Sequence, residues 1–475
     1  MALFLGTTGN DILNYQGSDP LLALGFEGND TLQGGLGADQ LVGGAGEDYL
    51  EDGSLIGDVS NDYLAGDTGN DILIAGFGFD TLIGGDGADY LESSQGVTND
   101  YFDGGSGSDT LVAADGNDVM LGGDGSDLIY GIGGLDYIDA GTGIDLVFAG
   151  TGNDTVFGGL GSDLLYGEAG DDFVWGGPPT TFDAEDDYID GGLGNDTIVG
   201  GFGDDSLLGN DENDGIYGIA GSNLIDGGNG SDSLFGGIDS DLMYGGFGLD
   251  FMFGGDGDDF LDAGTVDLFD ISDNYLDGEA GEDTLVGGFG NDTLIGGSDT
   301  DLVYGIAGNN LIEGGAGADV LLGGIGDDTI YSGSSTNLGF SDDYVDGGQG
   351  NDFLIGGFGD DTLLGNEGND ILLGYAGFDS FVGGAGSDAF VLGGGGGASY
   401  LGAGYATIED WNPLQDIIAV DAGLLPFYTI NIGDYGAGTS ALDTEILFQG
   451  DTVAVVADSA AFVLFLASDI ILTGI

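Results

Sequence analysis

From Asp30 almost to residue 388, an aspartate or asparagine recurs every nine residues, followed two places later by an apolar residue and preceded by glycine-rich sequence. Gly287-Gly288-Phe289-Gly290-Asn291-Asp292-Thr293-Leu294-Ile295 is one full unit, and Gly356-Gly357-Phe358-Gly359-Asp360-Asp361-Thr362-Leu363-Leu364 is another. The unit reads G-G-x-G-x-D-x-U-x, with U aliphatic or Phe. Its glycines permit a tight turn through backbone conformations closed to other residues. Its last three residues predict a short strand whose side chains alternate in direction, the middle one facing inward. Leu82, Leu111, Val156, Leu165, Ile198, Leu294 and Leu363 hold that inward place. Two nonapeptides then close one coil, so aspartates eighteen residues apart lie above one another. Asp109, Asp127, Asp145 and Asp163 form one such column, and Asp118, Asp136, Asp154 and Asp172 the other. The expected fold is all-β: a right-handed parallel β-roll, or β-solenoid. Residues 1–26 are expected to cap it at the amino end, 27–393 to form the roll, and 394–475 to form a small β-rich carboxyl-terminal cap.

Composition narrows the chemistry. Glycine supplies 107 of 475 residues without the every-third-residue spacing of collagen, and 41% hydrophobic residues is too many for a disordered acidic tail. There are 86 acidic residues and no Lys, Arg or His, for a formal charge of −86. Histidine-dependent triads and zinc sites are therefore excluded, as are lysine Schiff bases, and the absence of Cys excludes thiolates and disulfides. The chain is expected not to be an enzyme. Nucleic acid finds no cation to neutralise its phosphates. No run of about twenty apolar residues predicts a membrane span, and no basic, apolar secretory leader is seen at the amino end.

Stacked strands lie roughly 4.8 Å apart. Two bare carboxylates at that spacing repel by about 1 kcal/mol in water and about 3–4 kcal/mol at an effective dielectric near 20. A calcium ion between successive turns reverses that sign, because it takes carboxylate and backbone carbonyl oxygens as hard ligands. Roughly thirty calcium ions would bring most of the positive charge the chain lacks. Turn preference explains some aspartates, but not a phase held over so many units. The candidate ligands begin with Asp30, Asp39, Asp48, Asp62, Asp71, Asp80, Asp89, Asp100, Asp109, Asp118, Asp127 and Asp136. They continue through Asp145, Asp154, Asp163, Asp172, Asp187, Asp196, Asp205, Asp214, Asp232, Asp241, Asp250 and Asp259. Asp283, Asp292, Asp301, Asp319, Asp328, Asp343, Asp352, Asp361, Asp370, Asp379 and Asp388 complete them. Asn223, Asn274 and Asn310 stand at the same phase and are expected to give weaker sites.

These units resemble the RTX (repeats-in-toxin, hemolysin-type) calcium-binding nonapeptide repeats, from about Gly6 to Gly393. Ala406-Thr407-Ile408-Glu409-Asp410-Trp411-Asn412-Pro413, followed by Asp416-Ile417-Ile418, is similar to the segment that closes many RTX rolls. Glu445–Phe448 and Thr452–Val455 flank Gln449-Gly450-Asp451, a hairpin turn. In architecture and repeat content the chain is also similar to rod-like surface fibril proteins. The family implies an uncleaved carboxyl-terminal signal for type I secretion, here within 454–475, and an extracellular or cell-surface location. It hosts toxins, proteases and lipases as well as surface proteins. Those toxins are acylated on lysine, and the proteases and lipases need histidine, so this chain departs from all three.

The phase breaks at insertions near 52–61, 92–99, 178–186, 265–273 and 334–342. The last four precede Asp100-Tyr101, Asp187-Tyr188, Asn274-Tyr275 and Asp343-Tyr344; the first three of these begin 87 residues apart and the last 69 further on, as expected from block duplication. The residue after the inward one faces out yet is often aromatic: Phe148, Phe157, Tyr166, Trp175, Tyr217, Phe235, Tyr244, Phe253 and Tyr304. Apolar ladders of that kind mark association surfaces. The expected function is a secreted calcium-binding structural protein that folds in extracellular calcium and assembles, as a homo-oligomer or homopolymer, into a surface fibril, layer or matrix. The alternative is a calcium-dependent adhesin or surface-glycan-binding module.

Overall fold

The structure, a computed structural model, describes residues 1–52, 59–93, 96–177, 184–264, 270–336, 338–394, 397–398, 404–412, 414–420, 428–433, 443–448, 451–456 and 465–466. All five expected insertions lie partly outside these residues, as do the 449–450 turn and most of the expected export signal. Regular structure among the described residues is strand throughout. The chain forms two compact units, Met1–Ile238 and Asp239–Ile475.

In the first unit each nonapeptide contributes one strand, and strands two units apart pair in parallel. Val119–Asp124 lies between Tyr101–Ser106 and Tyr137–Thr142, with Met120 opposite Phe102 and Ile138. On the other side of the coil Leu128–Tyr130 lies between Thr110–Val112 and Leu146–Thr151, with Ile129 opposite Leu111 and Val147. The second unit repeats the scheme: Leu285 lies opposite Val303 and Leu261, and Leu294 opposite Leu276 and Ile312.

The inward residue of each unit makes the core. Leu82, Leu111, Val156, Leu165, Ile198, Leu294 and Leu363 are all fully buried, as expected. Each such side chain contributes about 1.5–3 kcal/mol of burial, and the column repeats it coil after coil. The turns need glycine in earnest at some positions. Gly105 and Gly107 have φ of +102° and +138°, and a Cβ on Gly125 would collide with the Gly107 carbonyl oxygen one coil back.

At the carboxyl end the coil continues past the last nonapeptide. Ala406–Ile408 pairs in parallel with Ser380–Ala385, and Ile417–Val420 with Ala389–Val391. The Gly383 and Gly384 N–H groups donate to the Asp410 carboxylate at 2.9 and 2.7 Å. Asp443–Phe448 then runs antiparallel to both Tyr428–Gly433 and Asp451–Val456, which is the hairpin expected around 449–450.

The outward aromatics stack in short runs. Tyr130, Phe148 and Tyr166 sit with centroids 5.2 and 5.0 Å apart and nearly parallel planes. Tyr217 and Phe235 stack at 4.9 Å. Phe157 and Trp175 meet in a tilted contact at 6.1 Å, and Phe148, Phe157, Tyr166 and Trp175 are all half-buried rather than exposed.

Candidate metal centre

The sequence places the aspartates in columns, and backbone hydrogen bonds tie those columns together. The Asp109 N–H donates to Asp127 Oδ1 at 2.7 Å, Asp127 N–H to Asp145 Oδ1 at 2.7 Å, and Asp145 N–H to Asp163 Oδ1 at 2.8 Å. In the second column Asp118 N–H donates to Asp136 at 2.8 Å, Asp136 to Asp154 at 2.7 Å, and Asp154 to Asp172 at 2.7 Å. Insertions do not break the chain of donors. Asp39 N–H reaches Asp62 Oδ1, Asp80 reaches Asp100, and Asp172 reaches Asp196, across 23, 20 and 24 residues. The second unit carries two equivalent columns, one running Asp241, Asp259, Asp283, Asp301, Asp319, Asp343, Asp361, Asp379. The other passes through Asn274 and Asn310 on its way from Asp250 to Asp388.

Every aspartate proposed from the sequence is buried, with between 0 and 5% of its surface exposed. Oδ1 is satisfied by the neighbouring N–H. Oδ2 is a different matter: in Asp30, Asp71, Asp109, Asp127, Asp145, Asp172, Asp283, Asp301, Asp352 and Asp370, among others, it is buried with no hydrogen-bond partner among the described residues. A buried, unpaired carboxylate oxygen is costly. The cost shows in the proton affinities. Burial, and then neighbouring carboxylates, push Asp109, Asp145, Asp172 and Asp283 up to about 7 and Asp136, Asp214, Asp301 and Asp361 up to about 8, against partial relief from the backbone N–H.

The first glycine of the motif completes the picture. A Cβ on Gly104 would lie 2.6 Å from Asp109 Oδ2 and 2.5 Å from the Gly122 carbonyl oxygen of the next coil. The same point at Gly167 is 2.6 Å from both Asp172 Oδ2 and the Gly191 oxygen, and at Gly296 it is 2.5 Å from both Asp301 Oδ2 and the Gly314 oxygen. Each corner therefore presents a carboxylate oxygen and a carbonyl oxygen converging on space that the missing side chain leaves open. Hard oxygens, net negative charge and no competing ammonium or guanidinium suit calcium, which bonds oxygen at about 2.3–2.6 Å. Calcium bound there supplies the charge that offsets the carboxylates. Asp Oδ2 and the first-glycine carbonyl are the atoms positioned to hold it.

A family model for the RTX calcium-binding nonapeptide repeat matches in successive segments running from residue 24 to residue 397. The chain belongs to that family. No curated protein matches it. The RTX assignment accounts for calcium binding by the repeats, and no helix of the described residues is long and apolar enough to cross a membrane.

Three carboxylates of the RTX roll were not anticipated. Asp11 begins a column: its N–H donates to Asp30 Oδ1 at 2.7 Å. Asp416 extends another, accepting from Asp388 N–H at 3.2 Å and Asn412 N–H at 2.6 Å. Asp52 joins Asp62 and Asp80. A Gly-Asn-Asp triplet at 9–11, matching 28–30, is the signal for Asp11. The asparagines behave differently from the aspartates. Asn310 Nδ2 donates to the Gly308 and Gly323 carbonyls at 3.4 and 3.3 Å, and Asn223 Nδ2 to Gly221 O at 3.0 Å. In the Asn310 corner the amide thus occupies the carbonyl that elsewhere faces the open space.

Proposed function

We propose that this RTX chain is a secreted structural protein: it folds when extracellular calcium fills its aspartate columns, and it assembles with copies of itself into a surface fibril, layer or matrix. The observation that carries the assembly is an apolar face in the first unit. Strands Thr197–Phe202, Gly215–Ala220 and Ser233–Ile238 pair consecutively, with Phe202 aligned to Ala220 and Ile238, and Tyr217 aligned to Phe235. Phe202, Tyr217, Ile219 and Ile238 are 42, 36, 42 and 53% exposed. Side chains of that size left exposed on the roll gain from a partner surface. Export fits the thermodynamics. Extracellular-type sites bind at about 10⁻⁴–10⁻³ M, so the columns stay empty in the cytosol and the chain stays threadable until it meets millimolar calcium, where binding drives folding by mass action.

Electron microscopy and light scattering of the purified chain in several millimolar calcium, beside a chelated control, test this reading. Ordered filaments or sheets that vanish on chelation, and that Ile238→Glu weakens, support it. Monodisperse monomers at high protein and calcium would rule assembly out.

A further inference from the structure

We propose that Asp52, Asp62 and Asp80 form a distinct three-carboxylate cation site, stronger than the regular corners of the roll, that holds a hard multivalent cation most tightly. The proposal rests on the reading of the aspartate columns as calcium sites and adds a ligand that the nonapeptide does not supply. In the regular unit the fourth residue after the aspartate is a small one, usually glycine, as at Gly34, Gly43 and Gly104. Asp52 stands at that place after Asp48. Its backbone confirms the equivalence: a Cβ on Gly34 would lie 2.5 Å from Asp39 Oδ2 and 2.9 Å from the Asp52 carbonyl oxygen, so Asp52 supplies the next-coil carbonyl of the Asp39 corner.

Its side chain then enters the space that glycine leaves open elsewhere. One ligand atom from each of Asp52, Asp62 and Asp80 lies within 4.8 Å of the others, the group of three so close among the described residues. The three are 3, 3 and 2% exposed. Asp62 Oδ2 is buried in this group with no hydrogen-bond partner among the described residues, while Asp62 Oδ1 accepts the Asp39 N–H at 2.5 Å. Asp52 is held in place from both sides, its N–H donating to Ile74 O at 3.1 Å and its Oδ2 accepting from Gly76 N–H at 2.8 Å. Two other insertion-bearing corners put a hydroxyl at the same motif place. Ser93 Oγ donates to Asp100 Oδ2 at 2.5 Å, and Ser332 Oγ donates to the Gly356 carbonyl. At Ser93 the carboxylate is satisfied by a neutral donor. At Asp52 it meets another carboxylate, a repulsion that a bound cation relieves. Ligand charge count sets the affinity of oxygen sites, so this corner exceeds its neighbours by at least about tenfold and favours a trivalent ion further.

Terbium is the probe. In a Tyr63→Trp background, with the roll held folded in 5 mM calcium, terbium is titrated from below one equivalent while tryptophan-sensitised emission is read. Tyr63 follows Asp62 directly and is 37% exposed, so the reporter is beside the site and outside it. Emission that saturates near the first equivalent, and that Asp52→Gly shifts at least about tenfold to higher terbium, is the expected result. Asp52→Gly restores the repeat's own residue; Asp52→Asn provides the same test should the glycine variant lose its calcium-dependent circular dichroism. Superimposable titrations with and without Asp52 would overturn the proposal while leaving the calcium columns standing. A roll whose circular dichroism ignores calcium, and which gives no terbium emission at any concentration, would instead remove the underlying reading.

Discussion

Asp136→Asn separates a metal ligand from a turn cap. Asp136 Oδ1 accepts the Asp118 N–H at 2.8 Å, and Asp136 N–H donates to Asp154 Oδ1 at 2.7 Å. Asparagine keeps both bonds. What it removes is the charge on Oδ2, which is buried with no hydrogen-bond partner among the described residues, and what it adds is an amide facing the Ala149 carbonyl, near the point a Cβ on Gly131 would occupy. Asn310 shows the consequence, an amide spent on the Gly323 carbonyl. In 10 mM calcium, sites of about 10⁻⁴–10⁻³ M each stabilise the fold by about 1.4–2.7 kcal/mol; in 1 mM calcium the figure falls to about 0.4–1.4 kcal/mol. Losing the corners on either side of Asp136 therefore costs up to about 3–5 kcal/mol at the higher concentration and about half that or less at the lower. Urea unfolding followed by circular dichroism at both concentrations measures it. A penalty that does not change with calcium, or no penalty, would mean that Asp136 only shapes the turn.

Asn310→Asp is the converse: it removes the amide from Gly323 O and is expected to add bound calcium by equilibrium dialysis and raise the urea midpoint in 10 mM calcium. The pH dependence without metal follows from the raised carboxylates. Folded-state values of about 7 for Asp109 and Asp145 and about 8 for Asp136 and Asp301, against 3.8 otherwise, mean that these groups favour the metal-free roll most fully below 3.8 and lose that contribution as pH rises toward 8. Circular dichroism in chelator is thus expected to gain β-structure on acidification, and calcium binding at pH 6 is expected to release protons, read as a buffer-dependent heat in calorimetry. Leu285→Ala empties a fully buried core position and is expected to cost about 2–5 kcal/mol in calcium, measured by urea unfolding; a smaller loss than about 1 kcal/mol would argue against a continuous core.

The nine-residue phase made the coil, its inward column and the aspartate columns legible, because each depends on spacing alone. Met120 opposite Phe102 and Ile138 is such a case. Spacing could not show what happens at its own interruptions. Asp39 meets Asp62 across 23 residues with strand pairing kept in register, Leu41 remaining opposite Leu64. Asp416 lies 28 residues past Asp388 and belongs to no nonapeptide, so the repeat phase does not point to its place in the column. Asp52 was hidden for the opposite reason, since it occupies a glycine's place and looks like a lapse in the motif. Ile219 and Ile306 hold φ of 83° and 73°, a turn geometry that β-branched residues rarely adopt and that the repeat nonetheless imposes. The outward aromatics were legible as ladders, but their mutual stacking, as in Tyr130, Phe148 and Tyr166, decides how much surface stays open.

The coupling of calcium to folding is the claim on which the rest depends, and a calcium titration followed by far-ultraviolet circular dichroism at pH 7.5 tests it most directly. Starting in chelator and rising to 10 mM, the signal is predicted to pass cooperatively from unfolded chain to β-structure, with magnesium failing to substitute because it dehydrates reluctantly and demands octahedral geometry. A full β-spectrum in chelator at that pH would show that the buried aspartates are tolerated without metal, and would contradict the account.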